Sequence, residues 1–470
     1  MEAINLTPRE KALQINLDSR TYGSFAEIGA GQEVAAWFFK AGAASGTIAK
    51  TISAYDMTFS DSIYGPEESG RYVCESRLEK MLNKEYSLLE KRLKGVRPPG
   101  NLFFAFANTM VALNYNKTNE GHGWIGVRFQ LTPNAPPNDV VIHVRMLDND
   151  NLLQQQAAGI IGVNLLYACF YYYGTPETML LSLVESLGPE RIEVDMVRMS
   201  GPDFDHIDDR LLSLKLVKLG LTQAALFGPN GNALQPSEVF YKKNILVLRG
   251  RFRPCTFVNM DMIKTGYAQF IADKDVDPTK VVTLSELTLS SLQTDGEINE
   301  KDFIDRVEIL CSLGQTVMIS NYLRYYKLVS YLSRFTKYKI GIILGIISLA
   351  EIFNEQYYNN LKGGILESFS GLFSRNVKLY VYPARDPRTY EIMTCNNFRL
   401  PDNLYYLYKY LLANDKLEDI KDANMEYLSI YSDNVIQMIK EGQSGWETMV
   451  PAPVANAIMK KNLFGYQPVF

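Results

Sequence analysis

Cysteine and histidine are scarce in this chain, which has five cysteines and three histidines among 470 residues. The cysteines stand far apart and no Cys-x-x-Cys pair occurs, which argues against a disulfide framework and a zinc knuckle. His122, His143 and His206 are too few for a multi-histidine metal site. We therefore expect a protein of a reducing compartment with no metal in its functional site.

An excess of positive charge is also lacking. The chain carries 48 basic and 52 acidic residues, which gives a formal net charge of −4. Binding along a nucleic-acid backbone needs a basic face, so we expect no nucleic-acid partner. Hydrophobic residues make up 47% of the chain and charged residues 21%, which is typical of a globular protein.

Long hydrophobic runs are nearly absent. Residues 157–174 are uncharged over 18 positions, the lower bound for a membrane-spanning helix. The run contains Asn164 and lacks flanking basic clusters, and a deeply buried helix is also apolar all round. The opening MEAINLTPREKALQ has no apolar core of a signal peptide. We therefore expect a buried helix, no membrane partner and a cytoplasmic location.

Sequence motifs that fix a reaction are missing as well. There is no Walker A run, no GxSxG, no HExxH and no GxGxxG fingerprint. The sequence therefore names neither a reaction nor a cofactor, and whether the protein is an enzyme stays open.

A repeated unit of apolar strand, polar turn and amphipathic helix is present about eight times between Asp139 and Arg385. The strand segments are 140–147, 192–199, 224–227, 245–248, 281–287, 316–320, 340–345 and 378–383. Such alternation predicts parallel strands with helical crossovers. The predicted fold class is α/β, either (β/α)8-barrel-like or a mixed, mostly parallel sheet.

The flanks of this repeat suggest three regions. Residues 1–100 are predicted as a helical N-terminal region, 101–400 as the α/β core with a leading β-hairpin, and 401–470 as a helical C-terminal extension. The segment 96–100, Val-Arg-Pro-Pro-Gly, is the expected linker, because its prolines and glycine end a helix. Residues 24–50 are rich in glycine and alanine, so we expect a helix with a close packing face there.

Arginines recur near the ends of the predicted strands, where α/β sheets and barrels bind their ligands. A guanidinium group matches the oxygens of a carboxylate or phosphate, so converging arginines favour an anionic ligand. The predicted ligand-binding residues are Arg145, Arg198, Arg249, Arg251, Ser320 and Asn321. Asp148 and Glu286 are the predicted acid–base catalytic residues. The alternative is that the arginines form ion pairs with neighbours such as Asp148, Asp195 and Glu193.

The acidic run 201–210, GPDFDHIDDR, also has two interpretations. Oxygen ligands and one imidazole could hold Mg²⁺ or Mn²⁺. The run precedes a predicted helix, however, where aspartate is a preferred capping residue. We predict that Asp208 or Asp209 caps this helix.

Several longer phrases resemble a widespread family of bacterial proteins of similar length. They are GSFAEIGAGQEVA (23–35), KTISAYDMTFSDSIYG (50–65), HGWIGVRFQ (122–130), VIHVRMLD (141–148) and GGILESF (363–369). The family is functionally uncharacterised, and its members are labelled inconsistently as TonB-dependent receptor or nicotinate-nucleotide adenylyltransferase. The receptor label implies a signal peptide and many amphipathic membrane strands, which this sequence does not indicate. The second label implies a His-x-Gly-His motif, whereas the histidines here read HGW, HVR and HID.

Three functional hypotheses follow. The first is a cytoplasmic metabolic enzyme that binds a small anionic or phosphorylated ligand at the carboxyl ends of the core strands. The second is a non-catalytic scaffold or self-assembling protein with residues 24–50 and the aromatic C-terminal tail as contact surfaces. The third is a nucleotide-handling enzyme of the nicotinate-nucleotide type that lacks its motif. We also expect a homo-oligomer.

Overall fold

The computed structural model describes residues 6–68, 70–294, 297–373, 376–386 and 388–467. The chain divides into two compact units, Met1–Thr222 (unit 1) and Gln223–Phe470 (unit 2). This division differs from the expected boundaries near residues 100 and 400. The reason is that strand Thr21–Gly29 pairs along its whole length with strand Leu102–Val111, which ties the N-terminal region to the hairpin.

Unit 1 contains seven helices and six strands among its described residues. They are α1 (Pro8–Leu17), β1 (Thr21–Gly29), α2 (Val34–Ala41), β2 (Ile48–Ser53), α3 (Met57–Tyr64), α4 (Glu75–Leu93), β3 (Leu102–Val111), β4 (Gly121–Phe129), β5 (Asn138–Met146), α5 (Asn151–Tyr171), α6 (Pro176–Leu183), β6 (Ile192–Ser200) and α7 (Asp209–Lys218), with a 3-10 turn at Ala44–Gly46.

The sheet of unit 1 has the order β2-β1-β3-β4-β5-β6. Strand β1 is parallel to both β2 and β3, whereas β3 to β6 pair antiparallel. The predicted hairpin is confirmed, because β3 and β4 pair antiparallel with Phe104 opposite Phe129. The mixed sheet therefore joins a parallel edge to an antiparallel meander.

The first hundred residues differ from the helical prediction, since β1 and β2 lie within them. Segment 24–50 is the end of β1, helix α2 and the start of β2 instead of one helix. Gly23 explains part of this: a Cβ atom there would lie 2.3 Å from the carbonyl oxygen of Phe104. Glycine thus permits the close approach of β1 to β3. Local helix preference does not predict this approach.

Helix α5 confirms the predicted buried helix. Its uncharged stretch contributes Ile161, Leu165 and Leu166, all fully buried, to a core with Phe25 and Phe104. Across the described part of the chain, no helix has the length and hydrophobicity to cross a membrane.

Unit 2 carries the remaining elements. They are β7 (Ala224–Phe227), β8 (Ala233–Leu234), α8 (Pro236–Phe240), β9 (Asn244–Arg249), α9 (Phe257–Ile271), β10 (Val281–Thr288), β11 (Gln293–Thr294), β12 (Glu297–Ile298), α10 (Glu300–Ser312), β13 (Thr316–Ser320), α11 (Tyr325–Leu332), β14 (Ile340–Gly345), α12 (Ile346–Ile352), α13 (Gly364–Phe373), β15 (Val377–Tyr382), β16 (Ala384–Arg385), β17 (Ile392–Met393), α14 (Asp402–Ala413), β18 (Leu417–Asp419), α15 (Ser432–Lys440) and α16 (Ala452–Lys461). Short 3-10 turns lie at Pro278–Lys280, Leu289–Leu292, Glu355–Tyr358, Met425–Ser429, Trp446–Thr448 and Leu463–Gly465.

The main sheet of unit 2 has the order β18-β15-β14-β9-β10-β13-β7-β8. The six strands from β18 to β13 are parallel, and β7 and β8 extend the edge in antiparallel fashion. The α/β fold class is thereby confirmed, in the form of the mixed, mostly parallel sheet. All eight predicted strand segments are strands, although the first two, β5 and β6, belong to the sheet of unit 1.

Read from β13 to β18, the parallel strands follow the chain order 3-2-1-4-5-6. This is the doubly wound arrangement, in which the direction of winding reverses between the first and fourth strands. In unit 2 the reversal falls between β9 and β14, which pair directly.

The end of the chain packs on unit 2. Leu463 and Phe464 are buried, and the N–H group of Phe464 donates to Asp305 on α10 at 3.3 Å. Lys461 pairs with Glu308 on the same helix. The described part of the tail is therefore an internal packing element, in contrast to the contact surface that the scaffold hypothesis assumes; Pro468–Phe470 lie outside the described residues.

Candidate ligand site at the carboxyl edge of unit 2

The reversal point of the doubly wound sheet lies beside the carboxyl ends of β9 and β14. The chain leaves β9 through residues 250–256 toward α9 and then forms β10 on one side. It leaves β14 at Gly345 toward α12 and then forms β15 on the other side. Because the two connections diverge, such sheets have a crevice at this place, and ligands bind there.

Three predicted residues meet at this edge. Glu286 accepts two N–H groups of Arg249, at 2.8 Å from Nε and 2.9 Å from Nη2. The hydroxyl group of Ser320 donates to the same carboxylate at 2.6 Å. The three side chains come from β9, β10 and β13, which the register aligns at their ends. The parallel strands thus bring Arg249, Glu286 and Ser320 together, as the sequence predicted for strand ends.

The guanidinium group of Arg249 is held from several directions. Its Nη1 donates to the carbonyl oxygen of Leu323 at 3.2 Å, and its centre lies 4.4 Å from the ring centroid of Tyr325. Burial acts to lower the pKa of Arg249, but the charge and hydrogen bonds of Glu286 outweigh it, so the pKa is raised. Burial also raises the pKa of Tyr325 to about 12. This arginine is therefore a fixed positive charge.

The loop 250–256 carries two further arginines. Arg253 donates to Asp302 at 2.7 Å, and Arg306 donates to the backbone oxygen of Arg251 at 3.0 Å. Arg251 pairs with Asp433 at 2.8 Å, with both side chains more than half exposed, at 59% and 67%. The loop backbone is therefore held in place while the head group of Arg251 faces solvent.

The remaining predicted residue of this edge is Asn321. Its N–H group donates to the carbonyl oxygen of Gln223 at 2.9 Å, and the residue is exposed. It directly follows Ser320, so it stands at the same end of the sheet. Its amide group is available to a ligand.

Arg145, Arg198 and Asp148 lie in unit 1. Because β5 and β6 are antiparallel, Arg145 stands opposite Glu193 and Arg198 opposite Val141, toward opposite ends of the pair. The prediction that these two arginines converge at neighbouring strand ends is wrong, since it assumed parallel strands.

Each of these three residues has a charged partner. Arg145 donates to Glu193 at 2.7 Å and Glu120 at 3.0 Å. Arg198 pairs with two glutamates of α4, the nearer at 2.5 Å, and Asp148 accepts from Arg191 at 2.9 Å. Arg145 thus forms an ion pair with Glu193, as the alternative interpretation of the sequence expects.

The acidic run before α7 acts as a cap. Asp208 is the N-cap residue of α7 and accepts the N–H group of Arg210 at 2.9 Å, which confirms the capping prediction. No group of three or more His, Cys, Asp or Glu side chains that could hold a metal ion is found in the described ranges.

Two buried polar contacts of unit 1 were not predicted from the sequence. Glu27 is 4% exposed on β1 and accepts the N–H group of Val34, at the start of α2, at 2.9 Å. His143 on β5 contacts Asp195 of β6 at 2.5 Å. Acidic residues inside apolar strands, one in FAEIG and two in IEVDMV, were the available signal.

A surface groove of about 460 Å³ lies at the opposite, amino edge of the unit 2 sheet. Its lining residues are Ile263, Lys264, Tyr267, Val281, Val282, Thr283, Gly314, Gln315 and Thr316. It has one basic side chain, Lys264. Doubly wound sheets bind their ligands at the carboxyl ends of the strands, so the carboxyl edge is the candidate site.

Comparisons with known proteins give limited information. No protein-family model matches the chain, and no curated protein matches its sequence. One similar solved structure is the competence/damage inducible protein CihA from Agrobacterium tumefaciens, with 18% identity, a TM-score of 0.25 and coverage of 36% of this chain and 98% of that one.

Two others are nucleotide enzymes by their descriptions. The Plasmodium falciparum nicotinic acid mononucleotide adenylyltransferase, complexed with APC, shares 12% identity at a TM-score of 0.25, with 48% of this chain and 98% of that chain covered. A putative nicotinate-nucleotide adenylyltransferase from Vibrio parahaemolyticus shares 12% identity at a TM-score of 0.20, with 48% and 97% covered. Similarity of this degree supports no functional conclusion, so the function rests on the geometry.

Proposed function

We propose that unit 2 binds a phosphorylated ligand of the nucleotide type at the carboxyl edge of its sheet, beside the ends of β9 and β14. The observation that carries this proposal is the order of its six parallel strands, because the reversal point of a doubly wound sheet is where such ligands bind.

Arg251 is the proposed phosphate contact. Its present partner, Asp433, is an exposed carboxylate, and exposed ion pairs contribute about 1 kcal/mol or less. A phosphate group offers several charged oxygens to the same guanidinium fork and can therefore replace Asp433. The start of α9, a helix of 15 residues, follows the loop directly, and its macrodipole adds positive potential to the same region.

Glu286 and Ser320 are proposed as positioning residues. Both carboxylate oxygens of Glu286 accept hydrogen bonds from Arg249, and one also accepts from Ser320. Glu286 is fully buried, so these bonds satisfy it inside the protein. We therefore assign Glu286 to holding Arg249 in place, and Arg249 to the fixed positive potential of the site. Asn321 supplies an exposed amide group beside them.

A titration calorimetry experiment on the full chain tests this proposal, with ADP and inorganic pyrophosphate as probes. Arg251→Ala removes a charge-assisted hydrogen bond of about 1.5–3 kcal/mol, so we expect affinity to fall by about tenfold or more. The matched control is Arg334→Ala. Arg334 is also exposed, but it lies between α11 and β14, at the amino edge.

Binding that falls equally in both variants, or that is absent with both probes at millimolar concentration, contradicts the proposal. Because Arg251 and Arg334 are exposed, both variants should keep the fold, which circular dichroism can verify. A loss confined to Arg251→Ala supports the carboxyl edge.

A further inference from the structure

We propose a second site in unit 1, in which Nε2 of His122 accepts a proton from an O–H or N–H group of a bound ligand. It is the outer end of a relay formed by Asp195, His143 and His122. The three residues come from the adjacent strands β6, β5 and β4 and are independent of the site in unit 2.

The relay is continuous and mostly buried. Nδ1 of His143 lies 2.5 Å from Oδ1 of Asp195, and Nε2 of His143 lies 3.2 Å from Nδ1 of His122. His143 is 1% exposed and Asp195 is 3% exposed. Only His122, which is partly exposed, reaches the surface.

A β-bulge aims Asp195 at this relay. The register of β5 and β6 shifts between His143 and Val144, which are opposite Met196 and Val194, so Asp195 is the extra residue. Bulges redirect a side chain and occur often beside active sites. Here the bulge turns the carboxylate toward the face that carries His143.

The chemistry of the three groups fixes the protons along the relay. A carboxylate only accepts, so Nδ1 of His143 donates to Asp195, and in the neutral form of His143 its Nε2 then carries a lone pair. That lone pair accepts from Nδ1 of His122. The second nitrogen of His122, Nε2, is then left with a lone pair.

This outer nitrogen faces solvent. Among the described residues Nε2 of His122 has no hydrogen-bond partner, and it does not belong to the buried unpaired atoms. Burial lowers the pKa of His122 to about 4, with Arg71 and Arg145 acting in the same direction and the charge of Asp195 acting against it. The imidazole is therefore neutral near pH 7, and a proton that it takes up is stabilised by passing the positive charge to His143, beside Asp195.

The proton transfer balances without another reactant. The ligand's O–H or N–H bond breaks, its electron pair stays on the ligand atom, and the proton bonds to Nε2 of His122. The Nδ1 proton of His122 can then move to Nε2 of His143, which places the positive charge beside the carboxylate of Asp195. His143 and Asp195 act as positioning residues, because they set the tautomer and stabilise this charge.

A purely structural role is the competing explanation. The ring of Trp124 packs edge-on against His143, with the two ring centroids 4.9 Å apart. The buried hydrogen bond between His143 and Asp195 would by itself stabilise the sheet. A structural bond that ends at His143 makes no demand on the tautomer of His122, whereas the relay requires a proton on its Nδ1. The tautomer therefore tests whether the relay extends to His122.

Imidazole ¹⁵N NMR of the full chain measures the tautomer of His122 directly. The signals can be assigned because the chain has only three histidines. We expect His122 to be protonated at Nδ1, with an unprotonated Nε2, at pH 7. His206, which is exposed, is the internal reference. If His122 is protonated at Nε2, the proposal is wrong, and this measurement requires no variant.

Chemical modification supplies a second readout. Diethylpyrocarbonate attacks an unprotonated imidazole nitrogen, so His122 should be modified at Nε2 and His143 should be protected. In Asp195→Asn the amide can donate to His143 and invert both tautomers, and we expect His122 to lose its reactivity, because its remaining lone pair then lies on the inner nitrogen, Nδ1. An unchanged His122 rate relative to His206 in a folded variant would overturn the relay.

Discussion

The two units place polar residues in different ways. In unit 2 the six parallel strands end at one edge, so Arg249, Glu286 and Ser320 meet although they are far apart in sequence. In unit 1 the antiparallel strands of the meander bring residues together across the register, as Arg145 and Glu193 show. The direction of the strands, more than the residue types, thus decides which side chains form a site.

Both units also contain a buried arginine–glutamate pair, but the pairs differ in their surroundings. Among the described residues, Arg249 forms an ion pair with one carboxylate, Glu286, which is fully buried. Arg145 pairs with Glu193 and also with the largely exposed Glu120. A second partner offers compensation when the first is lost, so the unit 2 pair is the more vulnerable.

The largest expected effect follows from this difference. Glu286→Gln keeps the shape of the side chain but leaves the charge of Arg249 without its carboxylate, which costs about 3–5 kcal/mol in comparable buried pairs. Glu193→Gln in unit 1 should cost less, because Arg145 keeps Glu120. Urea unfolding measures both free energies. Equal losses would show that the number of partners does not matter, and the comparison would fail.

A smaller effect concerns the pH dependence of unit 1. Burial raises the pKa of Glu27 to about 7, although hydrogen bonds from Val34, Ala35 and Asn108 act in the other direction. The folded state therefore binds more protons than the unfolded state between about pH 4.5 and 7. The contribution of Glu27 to the free energy of unfolding is therefore greatest below this pH window. It falls by up to about 3 kcal/mol as the pH rises through the window.

Glu27→Gln should remove this slope, because the amide does not titrate in this range. Glu68→Gln replaces an exposed glutamate of the same unit and should leave the slope unchanged. Chemical unfolding at pH 5, 6, 7 and 8 compares the three proteins. If the slope persists in Glu27→Gln, another group is responsible.

Much of the fold could be predicted from local patterns. Apolar runs between turn residues predicted all eight core strands, and the charge-free stretch predicted the buried helix α5. The strands β1 and β2 were missed because β1 depends on pairing with β3, about 80 residues away, and on the absence of a side chain at Gly23. Local helix preference contains no information on such a pairing.

The direction of strand β6 could not be predicted from the sequence either. Two helices, α5 and α6, connect β5 to β6, which is typical of a parallel crossover, yet β6 returns antiparallel. For this reason Arg249, Glu286 and Ser320 lie together at one edge, as expected for parallel strand ends, whereas Arg145 and Arg198 lie toward opposite ends of their strand pair. The relay through His143 was missed because it depends on a bulge at Asp195, which only the register reveals.

Hydrogen–deuterium exchange of the full chain with saturating ADP tests the central claim, that the ligand site of unit 2 lies at the reversal point of its sheet. We expect slower exchange at the backbone amides of residues 250–260, which form the loop 250–256 and the start of α9. Exchange should not change in residues 281–283 and 314–316 at the amino-edge groove, or in strands β4 to β6 of unit 1. Protection at the groove or in unit 1, with none in residues 250–260, would contradict the claim.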